Sequence, residues 1–267
     1  MKHINKSAII VLAIAAGAIL PSFADRTLND GLVAYLPFDN SMTENAVAGS
    51  PVAPEISTAT EPTPANGGMV GKCLNIPSGA YVKLTGSDSV TLANNSLGFE
   101  DSNRSFTAII WANHDALSGD PVIFANKNWS GNAKGALLCA KSSGKTPIVQ
   151  FNAGNGSSRI DSNGNGWLRF NGEGSGKWTF YAMVCTNGTF YCYQGKSDGT
   201  FSAKNPQTLS YFDMATGYPF VLGQQGNCAY SSIFTGKLDD FALWNRALSL
   251  DDIQRIYQSG RAGKKLG

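Results

Sequence analysis

The stretch Gly236-Lys-Leu-Asp-Asp-Phe-Ala-Leu-Trp-Asn-Arg-Ala-Leu-Ser-Leu-Asp-Asp-Ile-Gln-Arg-Ile-Tyr257 reads as a strand that runs straight into one short helix. Period-two alternation puts Asp239, Phe241 and Leu243 on one side and Leu238, Asp240, Ala242 and Trp244 on the other, so acids share faces with core-type residues. An acid so placed needs a physical reason, because a buried carboxylate is costly unless it is paired or hydrogen-bonded. The helix carries a full start signal: Ser249 as N-cap, Asp252 in the capping-box position, and Leu248 and Ile253 as a hydrophobic staple. Ile253, Ile256 and Tyr257 form a narrow apolar stripe, and Gly260 is expected to end the helix.

Upstream, the pattern is that of strands and turns. Gly176 to Cys185 and Thr189 to Gln194 flank Asn187-Gly188, a hairpin signal that pairs residue 185 with residue 190. Phe106-Thr-Ala-Ile-Ile-Trp-Ala112 is apolar on both faces, as a central strand is, and Pro219 to Gly223 reads as a further strand. Gly71 to Ile76 and Ala80 to Leu84 read as a strand pair. Gly31 to Asp39 opens the body with a strand that ends in an acid, and the Pro-rich segment from Glu44 to Gly68 reads as an extended surface excursion.

The ordered combination Gly236-x-Leu-Asp-Asp-Phe-x-Leu-Trp-Asn-Arg-Ala-Leu-Ser249, followed by Ile253 and Tyr257, resembles the closing motif of laminin-G-like, concanavalin A-like domains of secreted bacterial proteins. The aromatic-Asp end of the first strand at Phe38-Asp39 is similar to that family's first strand. The block Asn126-Lys-Asn-Trp129 with the later Phe151-Asn-Ala-Gly-Asn-Gly-Ser-Ser-Arg-Ile-Asp161 resembles a subset of it. The chain departs from relatives at Thr179, where His is frequent, and at Gln194-Gly195, where Asp-Gly is usual. The resemblance implies an all-β fold, a jelly-roll sandwich of two antiparallel sheets with one short C-terminal helix, usually serving as a binding module. It also implies that calcium is often held, with Asp39 and Asp239 as the metal candidates because first and last strands tend to be neighbours. Asp239 has a metal-free reading too, as a buried acid accepting hydrogen bonds from backbone or from Arg246.

Met1 to Ala24 has the form of a secretory signal: Lys2 and Lys6, an apolar run from Ala8 to Leu20, then Ser22-Phe-Ala24 as a small-x-small cleavage site. The expected organisation is therefore a signal at 1–24, one domain at 25–260 and a polar tail at 261–267. The expected place of action is secreted, whether periplasmic, extracellular or at the cell surface, with no membrane insertion after cleavage. Losing Lys2 and Lys6 brings the 21 Lys and Arg level with the 19 Asp and Glu. A neutral chain with no basic cluster beyond the tail Arg261-Ala-Gly-Lys-Lys265, which reads as a solvated end, is a poor match to a nucleic acid. Five cysteines in an exported chain permit disulfides, but an odd number leaves at least one without an intramolecular partner.

Glycan hydrolysis needs two carboxylates about 5–9 Å apart across the scissile bond. The five glutamates are scattered through the Pro-rich segment and polar loops, and His114 has no nucleophile in a recognisable setting. A non-enzymatic role is therefore expected. Carbohydrate recognition needs an exposed aromatic face with planar amide, carboxylate and guanidinium groups. The two polar loops supply these as Asn126, Asn128, Trp129, Asn152, Asn155, Arg159 and Asp161, with Trp167 soon after. The same residue types also serve turns in Asn-Gly-rich loops. The expected partner is a glycan or glycoprotein surface. A structural or adhesive protein-binding role and a glycan-active enzyme are the competing classes.

Overall fold

The computed structural model describes residues 26–86, 105–115, 117–129, 131–141, 147–160 and 168–266. The signal at 1–24 and the candidates Asp161 and Trp167 lie outside the described residues. Two antiparallel sheets face each other, and one helix closes the chain. In chain order the strands are β1 (Leu32–Leu36), β2 (Ala53–Ile56), β3 (Thr63–Asn66), β4 (Lys72–Ile76), β5 (Val82–Thr85), β6 (Phe106–His114), β7 (Val122–Ala125), β8 (Gly135–Lys141) and β9 (Ile148–Gly154). They continue as β10 (Arg159–Ile160), β11 (Arg169–Asn171), β12 (Thr179–Thr186), β13 (Thr189–Lys196), β14 (Phe201–Ala203), β15 (Gln207–Thr208), β16 (Phe220–Leu222) and β17 (Gly236–Trp244), before α1 (Leu250–Arg261).

The first sheet runs β14-β13-β12-β6-β17-β4-β3, with β1 also on β17 and β15 on β13. The second runs β10-β9-β8-β7-β16-β5-β2, with β11 on β9. Between them lies the main core, where Phe106, Ile110, Tyr181, Phe190 and Phe241 of the first sheet meet Phe124, Leu138, Phe151 and Phe220 of the second. A second apolar layer lies outside the first sheet, where Trp111, Phe180 and Trp244 pack under Ile253, Ile256 and Tyr257 of α1. This jelly roll is the architecture read from the sequence.

The hairpin β12–β13 pairs Cys185 with Phe190 and turns through Asn187 and Gly188, both at positive φ. The twist of such a primed turn matches that of the strands it joins. The Ser249 side chain accepts from Asp252 N at 3.1 Å, and the Asp252 carboxylate reaches back to Ser249 N, so the expected capping box is present. Gly260 does not end the helix. α1 continues to Arg261, with Gly263 at positive φ as the left-handed residue. Gly263 N donates to Gly260 O and Lys264 N to Ser259 O, the two bonds of a Schellman ending. Gly260 is required by packing instead: a Cβ there would stand 2.7 Å from Trp111 Nε1.

Three sequence expectations are corrected. β4 and β5 do not pair: β4 lies between β17 and β3, β5 between β16 and β2, and the turn Pro77–Ala80 carries the chain from one sheet to the other. Their apolar faces, Leu74 and Ile76 against Val82 and Leu84, reach one core from opposite sides. The Pro-rich segment is not merely an excursion, because it contributes β2 and β3. Pro54 and Pro64 are tolerated there because both strands end a sheet path, where a missing N–H need not break a ladder. Alternation along β17 breaks as well. Leu238, Phe241 and Leu243 all face the main core, while Ala242 and Trp244 face the outer layer. A bulge at Asp239-Asp240, where the register against β6 shifts and Asp240 takes φ 46, reverses the parity.

None of the five cysteines is in a disulfide; Cys73, Cys139, Cys185 and Cys192 are buried. Among the described residues no helix is long and apolar enough to cross a membrane.

Candidate functional site

The outer face of the second sheet carries Val122, Ala125, Leu137 and Cys139, and two aromatic side chains, Trp129 and Tyr230, lie half-buried against this patch. Trp129 follows β7 and Tyr230 follows β16, neighbouring strands in the sheet, so the topology brings the two loops together. Asp120 joins them: one carboxylate oxygen accepts the Trp129 indole N–H, and the other accepts Tyr230 OH at 2.6 Å. Burial first, then that carboxylate, pushes the Tyr230 phenol well above its ordinary range, so Tyr230 stays a donor to Asp120.

The loops are also latched through amides. Gln225 Oε1 accepts Trp129 N at 2.6 Å, Asn128 Oδ1 accepts Asn227 N at 3.0 Å, and Asn128 Nδ2 donates to Tyr218 OH at 3.1 Å. Gln224 folds its own loop by accepting Tyr230 N and donating to Tyr230 O. The result is a shelf of half-exposed rings, Trp129, Tyr218 and Tyr230, held by planar amides and one carboxylate on a rigid sheet. Rotamers fixed in this way cost little further entropy when a ligand meets them. Of these residues Trp129 and Asn128 were singled out from sequence. The signal for the others was the polar run Gln224-Gln225-Gly-Asn-Cys-Ala-Tyr230 after a strand, together with Asp120 at the head of the Trp129 block.

The remaining sequence candidates divide by burial. Asn126 is fully buried, with Oδ1 accepting Ala136 N at 2.8 Å and Nδ2 donating to Met214 O at 3.2 Å. Asn152 is buried on the outer face of β9, where Oδ1 accepts from the equally buried Lys127 ammonium at 2.6 Å. Arg159 is exposed on β10. The two polar loops do meet, since Asn132 Nδ2 donates to Ser157 O at 2.6 Å and Gly156 N to Asn132 O at 2.7 Å. His114 is buried at the end of β6, its ring nitrogens 2.7 and 3.0 Å from the carbonyls of Asp115 and Glu173.

A family model described as the concanavalin A-like lectin/glucanases superfamily, of laminin-G type, matches residues 84–254. The chain belongs to this superfamily. Among solved structures, its fold is similar to domain 4 of AbnA, an extracellular GH43 arabinanase from Geobacillus stearothermophilus, in complex with arabinotriose. That match has TM-score 0.61 and 16% identity over 85% of this chain and 98% of the other. It is also similar to the binding domain of botulinum neurotoxin DC in complex with SialylT, at TM-score 0.59 and 13% identity, over 88% of this chain but only 52% of the toxin domain. A third likeness is to the enzymatically active domain of bacteriophage CBA120 tailspike protein 2, at TM-score 0.55 and 12% identity, over 76% of this chain and 30% of the other. No curated protein sequence matches the chain.

The superfamily resemblance pointed to Asp39 and Asp239 as metal candidates. Both sit where β4 gives way to β1 along one side of β17. Backbone N–H groups there lose their ladder partners, and the acids replace them: Asp39 Oδ1 accepts Lys72 N at 2.8 Å and Asp239 Oδ2 accepts Val70 N at 3.0 Å. Asp39 Oδ2 pairs with Lys265 Nζ at 2.8 Å, and Asp240 accepts Tyr35 OH at 2.5 Å. Calcium takes six to eight oxygen ligands. Here the carboxylates already face N–H, ammonium and phenol donors, and among the described residues no group of three His, Cys, Asp or Glu is arranged to hold a metal. Arg246 does not serve Asp239; its guanidinium donates to the carbonyls of Thr27 and Asp30.

Proposed function

We propose that the chain is an exported, non-catalytic carbohydrate-binding module whose ligand lies on the shelf formed by Trp129, Tyr218 and Tyr230. The observation that carries this reading is the Asp120 clamp, which fixes two half-exposed rings on one sheet face through their polar tips and leaves their apolar faces for a sugar's C–H surface. Asn128 and Asn227 at the rim supply amide groups suited to hydroxyls, with Gln225 beneath them holding the backbone of Trp129. The fold likeness to domains solved with arabinotriose and with SialylT supports the same ligand class. Asp120, the acid on the shelf, is engaged through both oxygens by Trp129 and Tyr230, which supports binding over turnover.

The test is a glycan array followed by calorimetric titration of the best hit. Trp129→Ala is expected to weaken binding at least tenfold, about 1.4 kcal/mol, with an unchanged melting temperature in a far-UV circular dichroism scan. Equal binding by Trp129→Ala, or capture of a protein partner with no glycan retained, would sink the reading. Release of reducing sugar from a polysaccharide panel would overturn its non-catalytic part.

A further inference from the structure

A cavity of about 470 Å³ lies on the opposite side of the molecule from the shelf, between α1, the outer face of the first sheet and the two ends of the described chain. Its walls are fastened from both sides. The N-terminal wall at Thr27–Asp30 is held by Arg246, which donates to Thr27 O at 2.8 Å and Asp30 O at 2.6 Å, and by Trp244 Nε1, which donates to Leu28 O at 2.7 Å. The C-terminal wall, returned by the Schellman turn at Gly263, is held by Leu266 N on Tyr35 OH at 3.2 Å and by Lys265 on Asp39. The tail expected to be a solvated end is thus part of a built pocket.

Two features of this pocket point to a ligand. The floor is Trp111, 1% exposed, whose indole N–H has no hydrogen-bond acceptor among the described residues, beside Gly260, whose missing Cβ leaves the indole edge uncovered. The indole N–H is a donor that a ligand oxygen in the cavity could accept from. The rim carries Arg26, Arg255, Lys264 and Lys265, of which Arg255 pairs with Asp252 and Lys265 with Asp39, against the acid Asp240. Leu28, Ile109, Ile256 and Leu266 supply apolar wall between floor and rim. The volume falls within the range of about 300–1,000 Å³ usual for small-molecule sites.

We propose that this cavity is a second binding site, separate from the shelf, for a small amphiphilic organic anion, with a carboxylate or sulfonate at the Arg26–Lys264 rim and an apolar ring or chain toward Trp111. Burial raises the Asp240 carboxyl toward its neutral form, which lowers the repulsion such an anion would meet.

Fluorescence titration of the purified protein with 8-anilinonaphthalene-1-sulfonate, and in parallel with uncharged N-phenyl-1-naphthylamine, tests this. The sulfonate is expected to bind one-to-one with an affinity that falls as salt is raised. The double variant Arg26→Glu/Lys264→Glu, confined to exposed side chains, is expected to weaken it about tenfold and to leave the uncharged probe unchanged. Ser259→Phe, which fills the cavity from α1, is expected to abolish both signals, while Trp129→Ala changes neither, so failure here is separable from failure of the glycan reading. No saturable binding by the native protein, equal sulfonate affinity in the charge-reversed variant at an unchanged melting temperature, or loss of the signal in Trp129→Ala would overturn the proposal.

Discussion

Replacing Asp240 with Asn is expected to flatten the fall of stability toward alkaline pH. Asp239 and Asp240 are buried together in the β17 bulge. Burial is the largest influence on each and lifts both carboxyls above their ordinary range; the neighbouring Asp240 charge adds to this at Asp239, and Asp39 adds to it at Asp240. Backbone donors at Val70 act the other way on Asp239, as the Tyr35 hydroxyl and the Lys265 ammonium do on Asp240. A carboxyl whose folded pKa is raised keeps its proton where the unfolded chain has released it. Its contribution is therefore complete below the ordinary value of about 4 and is lost as pH climbs into the neutral range. At about 1.4 kcal/mol per pKa unit, the coupled pair should cost on the order of 2–4 kcal/mol between pH 5 and pH 8. Asn tolerates the left-handed backbone at this position better than other non-glycine residues and still accepts from Tyr35 OH. The variant should then lose less than half as much over that interval and exceed the native protein at pH 8. Urea unfolding followed by tryptophan fluorescence at pH 5, 6, 7 and 8 measures this. Parallel curves for the two proteins, or native stability that rises from pH 5 to pH 8, would refute the reasoning.

Gly195→Ala places a methyl into the Tyr257 ring, whose hydroxyl is tied to Lys196 O at 2.5 Å, and should destabilise by about 2–3 kcal/mol in a thermal melt because neither side can yield cheaply. Asn126→Ala strands the buried Ala136 N–H and Met214 C=O and should cost about 2–3 kcal/mol by chemical denaturation, with loss of any ligand bound at Trp129. Ser249→Ala removes the α1 cap and should cost about 1 kcal/mol, read as a small fall in the denaturation midpoint with no change in slope.

What the sequence disclosed was whatever is settled by neighbours in the chain. Asn187-Gly188 set the β12–β13 register, Ser249 and Asp252 set the start of α1, and the two-sided apolar run of β6 marked a strand between two others. What it withheld depends on partners far along the chain. The bulge at Asp239-Asp240 exists because β4 and β1 share one side of β17, and no local pattern shows that exchange. Period-two reading cannot foresee one extra residue, so the parity after Asp239 was reversed. Asn152 does stand on the outer face of β9, as alternation requires, yet it is buried and bonded to Lys127, because burial of an outward residue depends on what covers it.

The same limit explains why residue type alone could not divide the candidate site. Asn126, Asn128 and Trp129 lie within four positions of one another, but the first is tied to β8 and to Met214, the second to Tyr218 and Asn227, and the third leans outward against Asp120. The aromatic shelf is accordingly a consequence of the amides beneath and beside it. If Asn126 releases Ala136 or Gln225 releases Trp129, the indole loses the backbone that aims it, even though neither amide need meet a sugar. Substitutions at these amides should thus reduce binding by loosening Trp129, while substitution of Trp129 itself should reduce binding with the fold intact, and that contrast separates the residues that position the site from the residue that makes the contact.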